Sequence, residues 1–257
     1  RELARTVSLC AAAADHGKIP ILNAIRIIAR DGSAEFMATD GAQTMIARAA
    51  CAGDAAFCVD AELLNVKVKH LNPIKEVEIA SDGQFATITQ GRTKWRVPIL
   101  PAVDFPAPKL PEGDEVELPA SFKADFAAAV SHADSARPSI QGVHLNGKMM
   151  VATDGHKLAA IEFPVGRTFI TIPTSAAGRI AMLDSRLRMR ASKLSAMFEG
   201  DDGVTLITRL VEEEYPAWER IIPQYENSIT VDRNDFLAAV ERAGAIQADG
   251  ERTKYVR

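Results

Sequence analysis

The sequence predicts an α+β protein built from repeated domains, each with two helices packed on an antiparallel sheet. Three observations predict this class. Short motifs recur at nearly one spacing, helical stripes and strand-like runs follow the same order in each copy, and turn dipeptides separate the strands. Phe126-Ala-Ala-Ala-Val130 recurs as Phe236-Leu-Ala-Ala-Val240, and Asp104-Phe-Pro106 as Glu214-Tyr-Pro216, both 110 positions later. Ala38-Thr-Asp-Gly41 recurs 114 positions later as Ala152-Thr-Asp-Gly155. That period is too long for a solenoid repeat and fits a duplicated domain.

The elements follow in order. A first helix is predicted over Glu2–Ala14, with Leu3, Val7, Cys10 and Ala14 on one stripe. Its counterparts are Phe122–Ala133 and Asn234–Ala243, with Ser121 and Asp232 as N-caps. Strands are predicted at Ala24–Ala29 and Glu35–Ala38 in the first copy, and at Gly142–Leu145 and Lys148–Ala152 in the second. Asp31-Gly32 and Asn146-Gly147 are the hairpin turns between them. A second helix, Ala61–Leu71, is capped by Asp60 and buries Leu64, Val68 and Leu71; its counterpart Ser175–Leu183 is capped by Thr174. Glu76–Ile79, Phe85–Thr89 and Thr93–Pro98 complete the first sheet. Arg186–Ala191, Leu194–Phe198 and Val204–Leu210 follow in the second, so that five of the about eight strands expected per copy are placed.

This order divides the chain into residues 1–112, 113–227 and 228–257, the last holding only the start of a third copy. The Pro-rich stretch Pro101–Pro111 leads into the first boundary as an extended connector. The chain opens at Arg1 rather than methionine, so the first copy is expected to lack its first strand.

Composition narrows the function classes. At 257 residues and 47% hydrophobic content the chain has enough apolar side chain for about two domain cores. A net charge of −4 argues against a simple basic DNA-coating protein, but leaves room for an acidic exterior around a basic interior. Cys10, Cys51 and Cys58 have no metal-ligand spacing and read as small buried hydrophobes in a reducing cytoplasm. No apolar run approaches the roughly 20 residues of a membrane span, and no secretory signal pattern opens the chain. Gly91 and Gly166 lie in turns rather than in a phosphate-binding loop, and no nucleotide, metal or other cofactor is implied. Trp95 and Trp218 read as core or edge-covering residues.

Thr153-Asp-Gly-His156 invites an acid/base reading, which would make the protein an Asp154/His156 hydrolase. A strand-end turn explains it better, because the first copy keeps the turn as Thr39-Asp-Gly-Ala42 without the histidine.

Arg137-Pro-Ser-Ile-Gln-Gly-Val-His-Leu145 followed by Val151-Ala-Thr-Asp-Gly-His-Lys-Leu158 resembles the middle-domain signature of the β subunit of bacterial DNA polymerase III, the sliding-clamp family. Gly91-Arg-Thr-Lys-Trp-Arg-Val-Pro-Ile-Leu-Pro-Ala-Val-Asp-Phe-Pro106 and Glu214-Tyr-Pro-Ala-Trp-Glu-Arg-Ile-Ile-Pro223 extend the resemblance along the chain. The resemblance implies repeated DNA-clamp domains, three to a subunit, in a homodimeric ring whose helices line a hole for duplex DNA. It implies a non-catalytic processivity factor of DNA replication, an accessory subunit of a DNA-directed DNA polymerase, working without cofactor in the bacterial cytoplasm and on the nucleoid during replication. The implied partners are encircled double-stranded DNA, the polymerase III catalytic subunit, the clamp loader and other proteins with a clamp-binding motif. A two-domain relative closing its ring as a trimer is the alternative assembly.

Carried over position by position, the partner-peptide groove comprises Ile140, Thr153, Gly155, His156, Lys157, Leu158, Pro216, Arg220 and Ile221. Ile140, Leu158, Pro216 and Ile221 are expected to form its apolar floor. Lys157 stands where arginine is common. The DNA-facing cations are expected to be Lys18, Lys67, Lys69, Lys123, Arg137, Arg179 and Arg233, with Arg1, Arg5 and Arg242 further helix-borne candidates. Pro138 and Ser139 replace the aromatic residues many clamps carry there, and Thr174 and Ser175 stand where basic residues are usual.

Overall fold

A computed structural model describes residues 2–134, 136–164, 166, 169–184, 186–223 and 227–247. Arg1, one of the candidate cations, lies outside them. The chain divides into two compact units, Arg1–Pro216 and Ala217–Arg257.

The first unit runs through one element order twice. The first pass is α1 (Glu2–Ala11), β1 (Ala24–Arg30), β2 (Ser33–Thr39), β3 (Gln43–Ala50), β4 (Ala55–Asp60), α2 (Ala61–Lys69), β5 (Glu78–Ser81), β6 (Phe85–Gln90) and β7 (Thr93–Leu100). The second is β8 (Val116–Glu117), α3 (Phe122–Val130), β9 (Gly142–Asn146), β10 (Met149–Thr153), β11 (Leu158–Glu162), β12 (Phe169–Pro173), α4 (Ala177–Met182), β13 (Leu187–Ala191), β14 (Ser195–Gly200) and β15 (Thr205–Arg209). All pairings are antiparallel, as a meander of short connections favours. Eleven strands form one sheet in the order β5-β6-β7-β4-β1-β2-β3-β15-β14-β13-β8, and four form another, β11-β10-β9-β12. The long sheet therefore crosses from one repeat to the other where β15 lies against β3, with Thr205 opposite Ile46 and Thr208 opposite Gln43.

Local chemistry explains most boundaries. Asp60 caps α2 by accepting the Leu63 amide at 2.8 Å. Ser121 occupies the cap position of α3 without a side-chain bond. Thr174 caps nothing, because a 3-10 turn over Thr174–Ala176 precedes α4 and displaces the helix start. The first hairpin has positive φ at both turn residues, 52° at Asp31 and 81° at Gly32, which the strand twist of a two-residue hairpin favours. At the second hairpin only Gly147 is left-handed. Asn146 instead accepts the amides of Lys148 and Met149 at 3.1 and 2.8 Å.

Five strands were absent from the sequence expectation: β3, β4, β8, β11 and β12. The helices are also shorter than expected, α1 ending at Ala11 and α3 at Val130. Packing accounts for the extra strands. Ala-rich β3 is buried along nearly its whole length between β2 and β15, so burial rather than alternation holds it extended.

Phe122 is the hub of the second repeat, with Phe126, Phe163 and Phe198 rings at centroid distances of 5.6 to 5.8 Å. All four are fully buried. Truncating Phe122 to alanine would cost about 3–5 kcal/mol. A smaller apolar cluster joins both repeats through Met37, Ile46, Phe105, Met197 and Ile207.

The second unit carries a 3-10 turn over Trp218–Ile221 and helix α5 (Arg233–Gln247). Asp232 caps α5 as expected, accepting the amides of Asn234 and Asp235 at 2.8 and 3.0 Å. Among the described residues no helix is long and apolar enough to cross a membrane.

Candidate functional site

The turn between β10 and β11 holds five of the predicted groove residues: Thr153, Gly155, His156, Lys157 and Leu158. Thr153 Oγ1 donates to the Lys157 carbonyl at 2.7 Å and accepts the Gly155 amide at 3.0 Å. Asp154 Oδ1 accepts the amides of His156 and Lys157, both at 2.9 Å. These amides hold the Asp154 carboxyl below its ordinary range, with the nearby Lys157 and His156 charges adding to them. Gly155 has φ 84°, a conformation that glycine adopts without strain. The first repeat builds the same turn. Thr39 Oγ1 donates to Gln43 O at 2.7 Å, and Asp40 Oδ1 accepts the Ala42 and Gln43 amides at 2.9 and 2.7 Å. The motif is thus a duplicated structural turn, with its aspartate engaged by backbone amides rather than poised for proton transfer.

Arg137 braces the second turn from outside. Its Nη2 donates to the Asp154 carbonyl, and its Nε donates to Asp134 Oδ2 at 2.8 Å. Asp134 also accepts the amides of Ala136 and Arg137, at 2.6 and 3.1 Å. These backbone bonds first, and the Arg137 guanidinium next, push its carboxyl down to about 2. Lys157 Nζ donates to the Ser131 carbonyl at 2.7 Å, tying the turn to the end of α3. Tyr215 approaches from the last segment of the unit. Burial pushes its hydroxyl up to about 12, against an opposing backbone interaction at Thr153, and its ring stacks on His144 at 4.7 Å.

The predicted groove set is only partly assembled as an open surface. Gly155, His156, Lys157 and Pro216 are exposed and Leu158 is half-buried. Ile140 is 5% exposed and belongs to the interior. Arg220 and Ile221 are exposed residues of the second unit, at its 3-10 turn. A cleft of about 400 Å³ beside Tyr215, lined by Phe169, Leu194, Leu210 and Glu212 to Glu214, contains none of the predicted set. Asp134 and Tyr215 were not singled out from sequence as site residues. Both left a signal, Asp134 standing three positions before Arg137 and Tyr215 within the repeated Glu-Tyr-Pro motif.

The predicted DNA cations also separate. Lys18 and Lys69 are exposed, and Arg233 is exposed in the second unit. Lys67 lies 5.5 Å from the centroid of the half-buried Trp95 ring, and Lys123 donates to the Leu183 carbonyl at 2.7 Å. Arg179 reaches into the first repeat, where Asp40 and the Ala12 carbonyl hold it. Cys10 and Cys58 are pushed by burial to about 12 and about 11, in keeping with inert core thiols. Among the described residues no group of His, Cys, Asp and Glu could hold a metal ion.

The fold is a duplicated unit of two helices on antiparallel sheet, with its copies joined strand to strand. Comparison with known proteins is specific on this point. Residues 3–111 match the family described as DNA polymerase III beta subunit, N-terminal domain, and the chain is similar to bacterial beta sliding clamps. It is 26% identical over 198 residues to the beta sliding clamp of Staphylococcus aureus, an alignment covering 69% of this chain and 52% of that protein. The chain thus spans about half the length of the curated relatives it matches first. The Caulobacter crescentus beta sliding clamp superposes with a TM-score of 0.85 at 22% identity, covering 96% of this chain and 73% of that one. The Helicobacter pylori beta clamp, solved bound to a DNA ligase peptide, gives 0.84 at 16% identity, covering 95% and 74%. Both structural matches establish the fold.

Proposed function

We propose that the chain is a sliding clamp: a non-catalytic processivity factor that encircles duplex DNA and tethers replication proteins to it. The observation that carries this reading is the repeated unit itself, whose copies join edge to edge through β3 and β15 in a fold shared with the clamps. Such joints add domain to domain in one sense, which is how a ring is built. On this reading residues 1–112 and 113–227 are two clamp domains and 228–257 the opening elements of a third. Two copies would complete the ring, in the cytoplasm and on the nucleoid during replication.

A ring holds DNA topologically, so weak, sequence-independent phosphate contacts suffice and permit sliding. Exposed Lys18 and Lys69 are the cations best suited to that role, with Arg233 a further candidate. Lys67, Lys123 and Arg137 would contribute from side chains that already hold internal contacts.

The turn carrying Gly155, His156, Lys157 and Leu158, with Pro216, is the proposed partner site, on the first unit's side of a peptide groove. A relative has been solved with a DNA ligase peptide bound. The partners here would be the polymerase III catalytic subunit, the clamp loader and other proteins with short apolar clamp-binding segments.

The test is retention on closed circular DNA against the same DNA linearised. A clamp loaded on the circle stays through a salt wash and slides off the linear form. Equal retention on both, or tight binding to one short base sequence, would contradict the proposal.

A further inference from the structure

We infer that Arg179 is a positioning residue, fixing the angle between the two repeats of the first unit. The inference deepens the clamp reading and rests on it only for what that angle does to a ring.

The sheet joint alone leaves one freedom open. Pairing of β15 with β3 sets the distance and register between the repeats, but neighbouring strands tolerate twists from roughly −10° to −35°. Rotation about the joint must therefore be set by contacts beyond the strand pairing, the apolar cluster around Phe105 and polar contacts between the repeats. Arg179 makes two of them. From α4 in the second repeat, its Nε donates to the Ala12 carbonyl, just beyond the end of α1, at 3.1 Å. Its Nη1 donates to Asp40 Oδ2 at 2.7 Å. The two side chains are 17% and 25% exposed, so water screens this pair far less than a surface one. The acceptors are fixed in turn. Asp40 uses its other oxygen to bind the Ala42 and Gln43 amides, so it cannot follow a moving arginine without opening its own turn. Gln43 Nε2 donates to Ser175 Oγ at 3.0 Å alongside, from a residue just before α4. The Arg5–Asp202 ion pair also spans the repeats, but Arg5 is 55% exposed and leaves the pair mostly to solvent. A planar guanidinium with donors in two directions suits this two-point fixing, and a lysine ammonium does not.

The experiment measures the angle directly in the full chain. Spin labels are placed at exposed Lys94 and Glu162, one in each repeat, by non-cysteine chemistry that leaves Cys51 untouched. Pulsed electron paramagnetic resonance then gives their distance distribution. Arg179→Met and Asp40→Asn are each expected to shift or broaden the distribution, and the double variant no more than the worse single one, because both cut the same contact. Arg179→Lys should fall between wild type and Arg179→Met. Thermal unfolding checks that each variant is folded; should Arg179→Met fail that check, the Arg179→Lys distribution decides. A wild-type distribution in a folded Arg179 variant would overturn the inference. Retention of wild type on circular DNA is measured in parallel. Its failure would remove the clamp reading, while the distances alone still decide the role of Arg179.

Discussion

The two Thr-Asp-Gly turns are the same object in different surroundings. Thr39 to Gln43 and Thr153 to Lys157 share their hydrogen-bond pattern almost bond for bond, with left-handed glycines at φ 87° and 84°. Beyond that shared frame they diverge. In the first repeat the residues that follow, Gln43 and Thr44, are 2% and 5% exposed, covered by β15, and Asp40 is gripped by Arg179. In the second, Lys157 is exposed and Leu158 half-buried, and β11 is one of the two edge strands of its sheet among the described residues. The lesson is that duplication yields one turn used as a joint between repeats and another that stands beside an open sheet edge. The frame is the same in both, and among the described residues only the first turn contacts the other repeat, through Arg179 and Ser175.

The sharpest way to break the comparison is to place a charge at equivalent positions. Thr44→Lys would bury an ammonium at a 5% exposed position and remove the bond Thr44 Oγ1 donates to Thr39 Oγ1, and should destabilise the protein by about 3 kcal/mol or more. Leu158→Lys, at the matching position on the open edge, should stay within about 1 kcal/mol of wild type. Chemical denaturation of both variants checks this; equal losses would mean that the second edge is as closed as the first.

A smaller contrast lies in the glycines. Alanine at either Gly41 or Gly155 meets an unfavourable positive φ, costing about 1–2 kcal/mol. At Gly41 the added Cβ meets nothing within 4 Å, whereas at Gly155 it falls 2.9 Å from both terminal nitrogens of Arg137. Gly155→Ala should therefore cost more than Gly41→Ala and displace Arg137 from the Asp154 carbonyl. Denaturation midpoints, with the Arg137 side-chain NMR signals, report both effects; identical behaviour would show that Arg137 yields at no cost.

Much of the fold was legible because its signals are local. The Asp60 and Asp232 caps, the Asp31-Gly32 hairpin and the helices that repeat Phe126–Val130 as Phe236–Val240 each depend on a few neighbouring residues. What sequence hid is what depends on distant packing. Ala-rich β3 and β11 have weak intrinsic strand preference and are extended because β2, β10 and, for β3, β15 pair with them. Thr174 looks like a cap until the 3-10 turn is seen to take its place. The site was legible as a turn motif, but its divided use was not. Arg179 reads as one more helix cation in sequence, and its partner lies 139 positions away. The family resemblance puts Ile140 in the groove floor, whereas its side chain is 5% exposed and lies in the interior.

The most direct test of the account asks whether the open turn is the partner site. A short peptide with two or three bulky apolar side chains, of the clamp-binding kind, is titrated against wild type, Leu158→Ala and Ala42→Ser, the last altering the joint turn in the first repeat. Each well-buried Leu-sized anchor contributes roughly 1.5–3 kcal/mol before ordering costs, so losing its contact at Leu158 should weaken binding severalfold or more. The account predicts that loss for Leu158→Ala alone, with Ala42→Ser binding like wild type and all three proteins folded. Equal affinity for wild type and Leu158→Ala would contradict it.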